Sequence, residues 1–61
     1  MTVRDIESKF LGKNFIIKDN LGKVIFDSST GTYTEFRELS GKEVRVFGIH
    51  NTKPNTIIGY I

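Results

Sequence analysis

The sequence predicts one small α+β domain, with a short N-terminal helix packed on a twisted, mainly antiparallel sheet of four or five strands. Glycines recur about every ten residues, at Gly12, Gly22, Gly31 and Gly41. Turn residues at such intervals are typical of small antiparallel β domains. The segments between them are rich in β-branched and aromatic residues, whereas residues 2–11 have helical spacing.

Size and composition limit how the domain can be stabilised. A chain of 61 residues forms one domain, residues 1–61, and buries only about 60% of the surface that its unfolded form exposes. It has no cysteine and a single histidine, His50. Disulfides, thiolate zinc sites and multi-histidine metal sites are therefore excluded. Tight packing or oligomerisation must compensate, and no cofactor is expected.

The charge pattern and hydropathy predict a cytoplasmic protein without a membrane segment. The net charge is +2, with acidic and basic residues mixed along the chain. Residues 1–11 alternate charged and apolar residues, which is not the pattern of a secretion signal. No apolar run approaches the roughly 20 residues that a membrane helix needs.

The first element is predicted to be a helix over residues 2–11. Thr2 can accept from the amide of Asp5, and Asp5 occupies the acidic position of a capping box. Gly12 supplies a C-terminal stop. The apolar residues fall on one helical face: Val3, Ile6 and Phe10.

Two strands, 13–19 and 23–27, follow as a hairpin. The turn between them contains Asn20 and Gly22, which tolerate positive φ. A hydroxyl-rich loop, 28–32, comes next and favours turns because its side chains bond their own backbone.

Residues 33–39 carry conflicting signals. Tyr33, Phe36 and Leu39 are spaced by three, which fits a helical turn, whereas Thr32 to Thr34 favour a strand. We expect a short strand start that runs into an irregular or helical turn.

A C-terminal hairpin is predicted from residues 42–50 and 56–61, joined by a loop in which Pro54 stays outside the ladder. Gly48 and Gly59 lie inside these strands, where glycine marks a bulge or a close approach to the backbone. A bulge at Gly48 would re-aim Phe47.

The predicted sheet is apolar on both faces, but the sequence offers one short helix to cover it. The sheet could close into a small barrel, or another molecule could cover the second face. Residues 56–61 also form a strand without charged protection, and such a strand at an edge invites pairing. The predicted protein-binding residues are Phe47, Ile49, Ile58 and Tyr60.

A nucleic-acid-binding module is the alternative. The segment after Glu43 contains no acidic residue, and aromatic residues among basic ones can stack on bases and neutralise phosphates. The residues concerned are Arg45, His50, Lys53 and Tyr60.

Catalysis is not expected. His50 has no aspartate or cysteine beside it in sequence, and the serines lack the strand–turn–helix context of a nucleophile elbow. No small-molecule substrate is indicated.

The opening TVRDIESKFLGKNFIIKDNLGKVIFD resembles a pattern in small uncharacterised proteins encoded by phages and mobile elements of low-GC Gram-positive bacteria. In that pattern a short "TV-+-I" helix precedes a hairpin with "D-N-x-G-K-V" at its turn, and an "E-V-x-V" strand pair follows. The resemblance brings no catalytic residues. It implies a cytoplasmic accessory protein that binds and blocks a host component. The function we expect is non-enzymatic protein binding through the C-terminal hairpin, either by self-association or by inhibition of a host defence protein.

Overall fold

The computed structural model describes residues 1–61 and shows an α+β fold, as the sequence predicts. Two helices and four strands follow one another in the order α-β-β-α-β-β. They are α1 (Val3–Lys9), β1 (Asn14–Lys18), β2 (Val24–Asp27), α2 (Tyr33–Leu39), β3 (Val46–Ile49) and β4 (Thr56–Tyr60).

The four strands form one mixed sheet in the order β2-β1-β4-β3. The two outer pairs are antiparallel, and the central pair, β1 with β4, is parallel. β2 and β3 each have one neighbour, so the sheet is open, and of the two alternatives the closed barrel is wrong. The strand 56–61 was predicted to lie at an edge, but β4 lies in the centre.

The capping box and the glycine stop predicted for the N-terminal helix are both present. The Thr2 hydroxyl accepts from the Asp5 amide at 3.3 Å, and the Asp5 carboxylate accepts from the Thr2 amide at 2.8 Å. Hydrogen bonds that the Asp5 carboxylate accepts, first from the Thr2 backbone and then from its side chain, lower the pKa of Asp5 from its ordinary value of 3.8. The chain then turns at Gly12, whose φ of 84° is in the left-handed region that glycine favours.

The segment 33–39 is a full helix, so the expected strand start is wrong. Thr32 caps it as Thr2 caps α1, since the Thr32 hydroxyl accepts from the Glu35 amide at 3.2 Å. The Glu35 carboxylate accepts from the Thr32 amide at 2.9 Å. The fold therefore has a second helix, and the assumption that one helix must cover the sheet is also wrong.

The hydrophobic core lies between the helices and one sheet face. Gly59 belongs to this face, and a Cβ there would come within 3.0 Å of Ile6 Cδ1 and 3.4 Å of Ile17 Cδ1. The close approach predicted at Gly59 is thus present. Phe10, Phe36 and Leu39 pack against the core from the helices. Its buried members are Val3, Ile6, Phe15, Ile17, Phe26, Val44 and Ile57.

The second sheet face carries no helix. Ile16 is on this face, outside the core cluster, yet only 4% of its surface is exposed. Its cross-strand partner Asp27 has its carboxylate 4.0 Å from Lys53 Nζ. This contact brings the loop 51–55 against the Ile16 row, so part of the second apolar face is covered by the chain itself.

β3 is shorter than predicted, because residues 42–44 bond to the N-terminal segment instead. Val3 N donates to Lys42 O at 3.0 Å, and Val44 N donates to Met1 O at 2.7 Å. The β3–β4 register runs without a shift, so the bulge expected at Gly48 is absent. The irregularity lies between Ile17 and Lys18, in the β1–β2 pairing.

Candidate binding site at the β3 edge

β3 is an edge strand whose backbone is half unpaired. His50 N donates to Thr56 O at 2.9 Å, which marks these residues as a hydrogen-bonded pair of the antiparallel ladder. Hydrogen-bonding residues alternate along such a ladder, so Val46 and Gly48 also bond towards β4. Phe47 and Ile49 therefore direct their N–H and C=O groups away from the sheet.

The parallel side of β4 supports the same assignment. Asn14 N donates to Asn55 O and Ile61 N donates to Lys18 O, each at 3.0 Å. The odd-numbered backbone groups of β4 thus bond to β1, and the even-numbered ones are left for β3. We call the outward backbone groups of Phe47 and Ile49, with their side chains, the β3 edge.

Apolar side chains flank the β3 edge. Ile49 is 82% exposed, Val46 is 59% exposed and Phe47 is 40% exposed. Phe47 is held from one side by the Phe10 ring at a centroid distance of 5.7 Å. The strand, of sequence VFGI, contains no charged residue. Edge strands usually carry charges, prolines or bulges that prevent pairing. β3 contains none of these between Val46 and Ile49, although Arg45 directly precedes it and its N–H donates to Tyr60 O at 2.8 Å.

The four predicted protein-binding residues are divided between the two sheet faces, although Ile49, Ile58 and Tyr60 line one cavity at the β3 side. Phe47 pairs with Gly59 and Ile49 pairs with Ile57, so both lie on the helix-covered face. Ile58 and Tyr60 alternate with those core positions and lie, half-buried, on the second face. The β3 edge runs along the border between the two faces. It contains two of the four predicted residues, Phe47 and Ile49.

The basic residues of the alternative prediction are partly engaged within the chain. Arg45 Nε donates to Ile61 O at 3.2 Å. His50 Nδ1 accepts from the backbone of Thr52 and Lys53, at 3.1 Å in each case. The Lys53 side chain is 58% exposed and faces Asp27 across 4.0 Å, a weak exposed ion pair.

A shallow cavity of about 290 Å³ lies beside these residues on the second face. It brings His50 and Tyr60 together with Lys18 and Asn51, two polar residues that the sequence interpretation did not select. Lys18 comes from β1, and only the parallel β1–β4 pairing places it opposite Tyr60. Its lining residues are Lys18, Ile49, His50, Asn51, Ile58 and Tyr60.

A second cavity, of about 280 Å³, opens beside α2. Phe36 contacts Phe15, Phe26 and Tyr33, with ring centroids 5.8, 6.0 and 6.4 Å apart. The rings pack on one another, so they form a satellite of the core. The lining residues are Glu7, Phe15, Phe26, Ser28, Gly31, Thr32, Tyr33 and Phe36.

The polar groups of the molecule support turns and caps. The Ser29 hydroxyl and backbone N–H both donate to the Asp27 carboxylate, at 2.7 and 2.9 Å. These bonds lower the pKa of Asp27 from its ordinary value of 3.8. No group of three or more His, Cys, Asp or Glu residues is placed to hold a metal ion.

No family model, curated protein or solved structure matches this chain. Neither helix is long and apolar enough to cross a membrane.

Proposed function

We propose that this chain is a non-enzymatic protein-binding module whose β3 edge receives an extended segment of a protein. One observation carries the proposal. β3 offers unpaired backbone groups at Phe47 and Ile49 beside exposed apolar side chains, and it has no charge to prevent pairing. Added strands gain affinity from main-chain hydrogen bonds and specificity from alternate side chains.

The biological role that fits this binding mode is that of a phage or mobile-element accessory protein. The resemblance of the opening segment to such proteins supports this role. The segment bound at β3 belongs either to a second copy of the chain or to a host protein that binding blocks, as an anti-defence inhibitor would.

The experiment is a paired capture from a bacterial lysate with the chain and its Ile49→Lys variant as baits. Lysine at this exposed position charges the β3 edge without disturbing the core. The matched control is Leu21→Lys, in the β1–β2 turn, where the side chain is 87% exposed. Proteins held by the unmodified chain and by Leu21→Lys, but lost from Ile49→Lys, support the proposal. Equal capture by all three baits contradicts it.

Nucleic-acid binding is the second candidate, and the cavity on the second face favours it. There Tyr60 stands beside Lys18 and His50, a combination of a stacking ring with basic groups. Arg45 and Lys53 add positive charge close by in sequence, although each has a partner within the chain.

Charge reversal separates the two candidates. Arg45→Glu combined with Lys18→Glu should abolish salt-sensitive retention on a single-stranded oligonucleotide if the second face binds nucleic acid. The same variant should leave capture through the β3 edge intact. Absence of any retention by the unmodified chain at low salt would eliminate this candidate.

A further inference from the structure

We infer that the β3 edge pairs with the β3 edge of a second copy of this chain, antiparallel about a two-fold axis at Gly48, to form a continuous eight-stranded sheet. The inference rests on the proposed function, because it names the partner of the same edge. It follows from three features of β3: the alternation of its backbone hydrogen bonds, its side chains and its charges.

The alternation of inward and outward backbone groups along β3 selects the register between the two copies. The outward residues of β3 are Phe47 and Ile49, two positions apart. In an antiparallel pair centred on Gly48, Phe47 of one copy lies opposite Ile49 of the other, and both pairs are hydrogen-bonded. Four N–H···O bonds result. This is the register in which both outward residues of each β3 pair with outward residues of the other β3.

The side chains suit this register. Phe47 and Ile49 share a sheet face, so each ring meets an isoleucine of the other copy as a direct cross-strand pair. Gly48 lies opposite itself at the axis, at a non-hydrogen-bonded position where Cα atoms approach to about 4.5 Å. A Cβ at Gly48 would meet no atom within 4 Å, so nothing in the chain obstructs this approach.

The charges also permit self-pairing. No charged residue lies between Val46 and Ile49. Arg45 directly precedes β3, so in the antiparallel pair the two Arg45 residues lie at opposite ends of the paired strands. Lys53 is drawn towards Asp27, at the other side of the sheet, by the loop 51–55. Like charges are therefore kept apart.

The size of the contact sets the expected strength. Two four-residue strands bury less than the roughly 1,200 Å² at which stable interfaces begin. We expect a weak, reversible dimer that is detectable at protein concentrations up to about 1 mM, with four outward hydrogen bonds and the Phe47–Ile49 pairs supplying the affinity.

The first test is the solution mass by sedimentation equilibrium, from low micromolar concentration to about 1 mM, where a micromolar dimer is fully formed. The unmodified chain should pass from monomer to dimer. Ile49→Pro removes an outward N–H without touching the β4 ladder, and should weaken dimerisation at least tenfold. Ile49→Ala keeps the N–H and should weaken it less. A monomer at the highest concentration, or a dimer unaffected by proline, overturns the inference.

The second test fixes the register by a disulfide. The chain has no cysteine, so Gly48→Cys introduces one thiol per copy, at the axis and within disulfide distance. Mild oxidation should give a covalent dimer. The matched control, Val46→Cys, places its two thiols about 14 Å apart and should cross-link far more slowly. Equal or faster cross-linking of Val46→Cys overturns the register.

The two proposals fail separately. If the chain stays monomeric but Ile49→Lys still loses a captured host protein, the self-pairing is wrong and protein binding at the β3 edge stands. If the chain dimerises through β3, the self-pairing stands whether or not a host protein is captured. If no Ile49 variant lowers the solution mass of the chain or the capture of a protein from the lysate, both proposals are contradicted.

Discussion

The two edge strands of the sheet have the same length but differ in how far they are protected from pairing with another strand. β2 and β3 are both four-residue strands with one neighbour each. The outward carbonyl of β2 at Asp27 accepts from Gly31 N at 2.7 Å and from Thr30 N at 3.1 Å, so the following loop occupies this acceptor of the edge. β2 also has a register irregularity and ends on a charged residue. β3 has none of these features.

The difference shows that edge exposure in this fold depends on the segment that follows each strand. After β2 the hydroxyl-rich loop turns outward and bonds back to the edge. After β3 the loop 51–55 turns away from the β3 edge towards the start of β1, where Lys13 Nζ donates to Asn55 Oδ1 at 2.9 Å and Asn55 Nδ2 donates to Gly12 O at 3.1 Å. The loop that could protect β3 instead ties the central strands together.

The largest expected effect comes from opening the protected edge with Gly31→Ala. A Cβ at Gly31 would overlap the Phe26 ring and lie 2.9 Å from Asp27 O, so the turn that closes β2 must shift. We expect the free energy of unfolding to fall by about 1–3 kcal/mol, as for overpacked sites. Urea titration measures it. Gly41→Ala, with no atom within 4 Å of the new Cβ, is the control and should change little.

The next effect is on association at the open edge. Ile49→Lys should weaken dimerisation at least tenfold, or about 1.4 kcal/mol, with the unfolding free energy unchanged because Ile49 is 82% exposed. The same substitution on the other edge, Val24→Lys, should leave dimerisation unchanged. Sedimentation compares the three chains, and equal weakening by both lysines would show that the edges do not differ.

A smaller effect is expected from Gly48→Val at low protein concentration. Glycine weakens a strand interior, and a β-branched residue favours it. The new side chain points into open space, so stability should rise by about 0.5–1 kcal/mol. A fall in the thermal midpoint would mean that the β3 edge is already crowded.

The smallest effect is the pH dependence of the β2 turn. Hydrogen bonds from Ser29 lower the folded pKa of Asp27 below its ordinary value of 3.8. Stability from this group is therefore fully present above 3.8 and is lost as the pH falls through the lower folded pKa. Asp27→Asn should reduce stability at pH 6 by about 0.5 kcal/mol and flatten the loss below pH 4. Unfolding midpoints across this range test both statements.

Local signals in the sequence were sufficient for most single elements. The Thr2–Asp5 capping box and the stop at Gly12 define α1, because caps depend only on neighbouring residues. The same signal was present at Thr32 and Glu35 and was missed, because the β-branched residues around Tyr33 were given more weight. Applying the capping-box rule there would have predicted α2 and removed the need for a barrel.

The order of the strands in the sheet could not be predicted from local sequence patterns. Period-two apolar spacing is the same in a central strand and an edge strand when both faces are apolar, so residues 56–61 were misplaced at the edge. The candidate site shared this limit. Phe47 and Ile49 were predicted as apolar residues of an uncovered sheet face, whereas their outward backbone groups follow from the ladder register alone. Lys18 reaches Tyr60 only through the parallel pairing.

The parallel pairing of β1 with β4 also governs how the chain must fold. Its partners are 42 positions apart, as in Asn14 with Thr56. The β1–β2 hairpin can form early from local contacts, but a lone hairpin is marginal in water. The centre of the sheet closes only when residues 56–60 arrive, after a large loss of loop entropy. Folding should thus be slow for a chain of 61 residues and cooperative, with neither half stable alone.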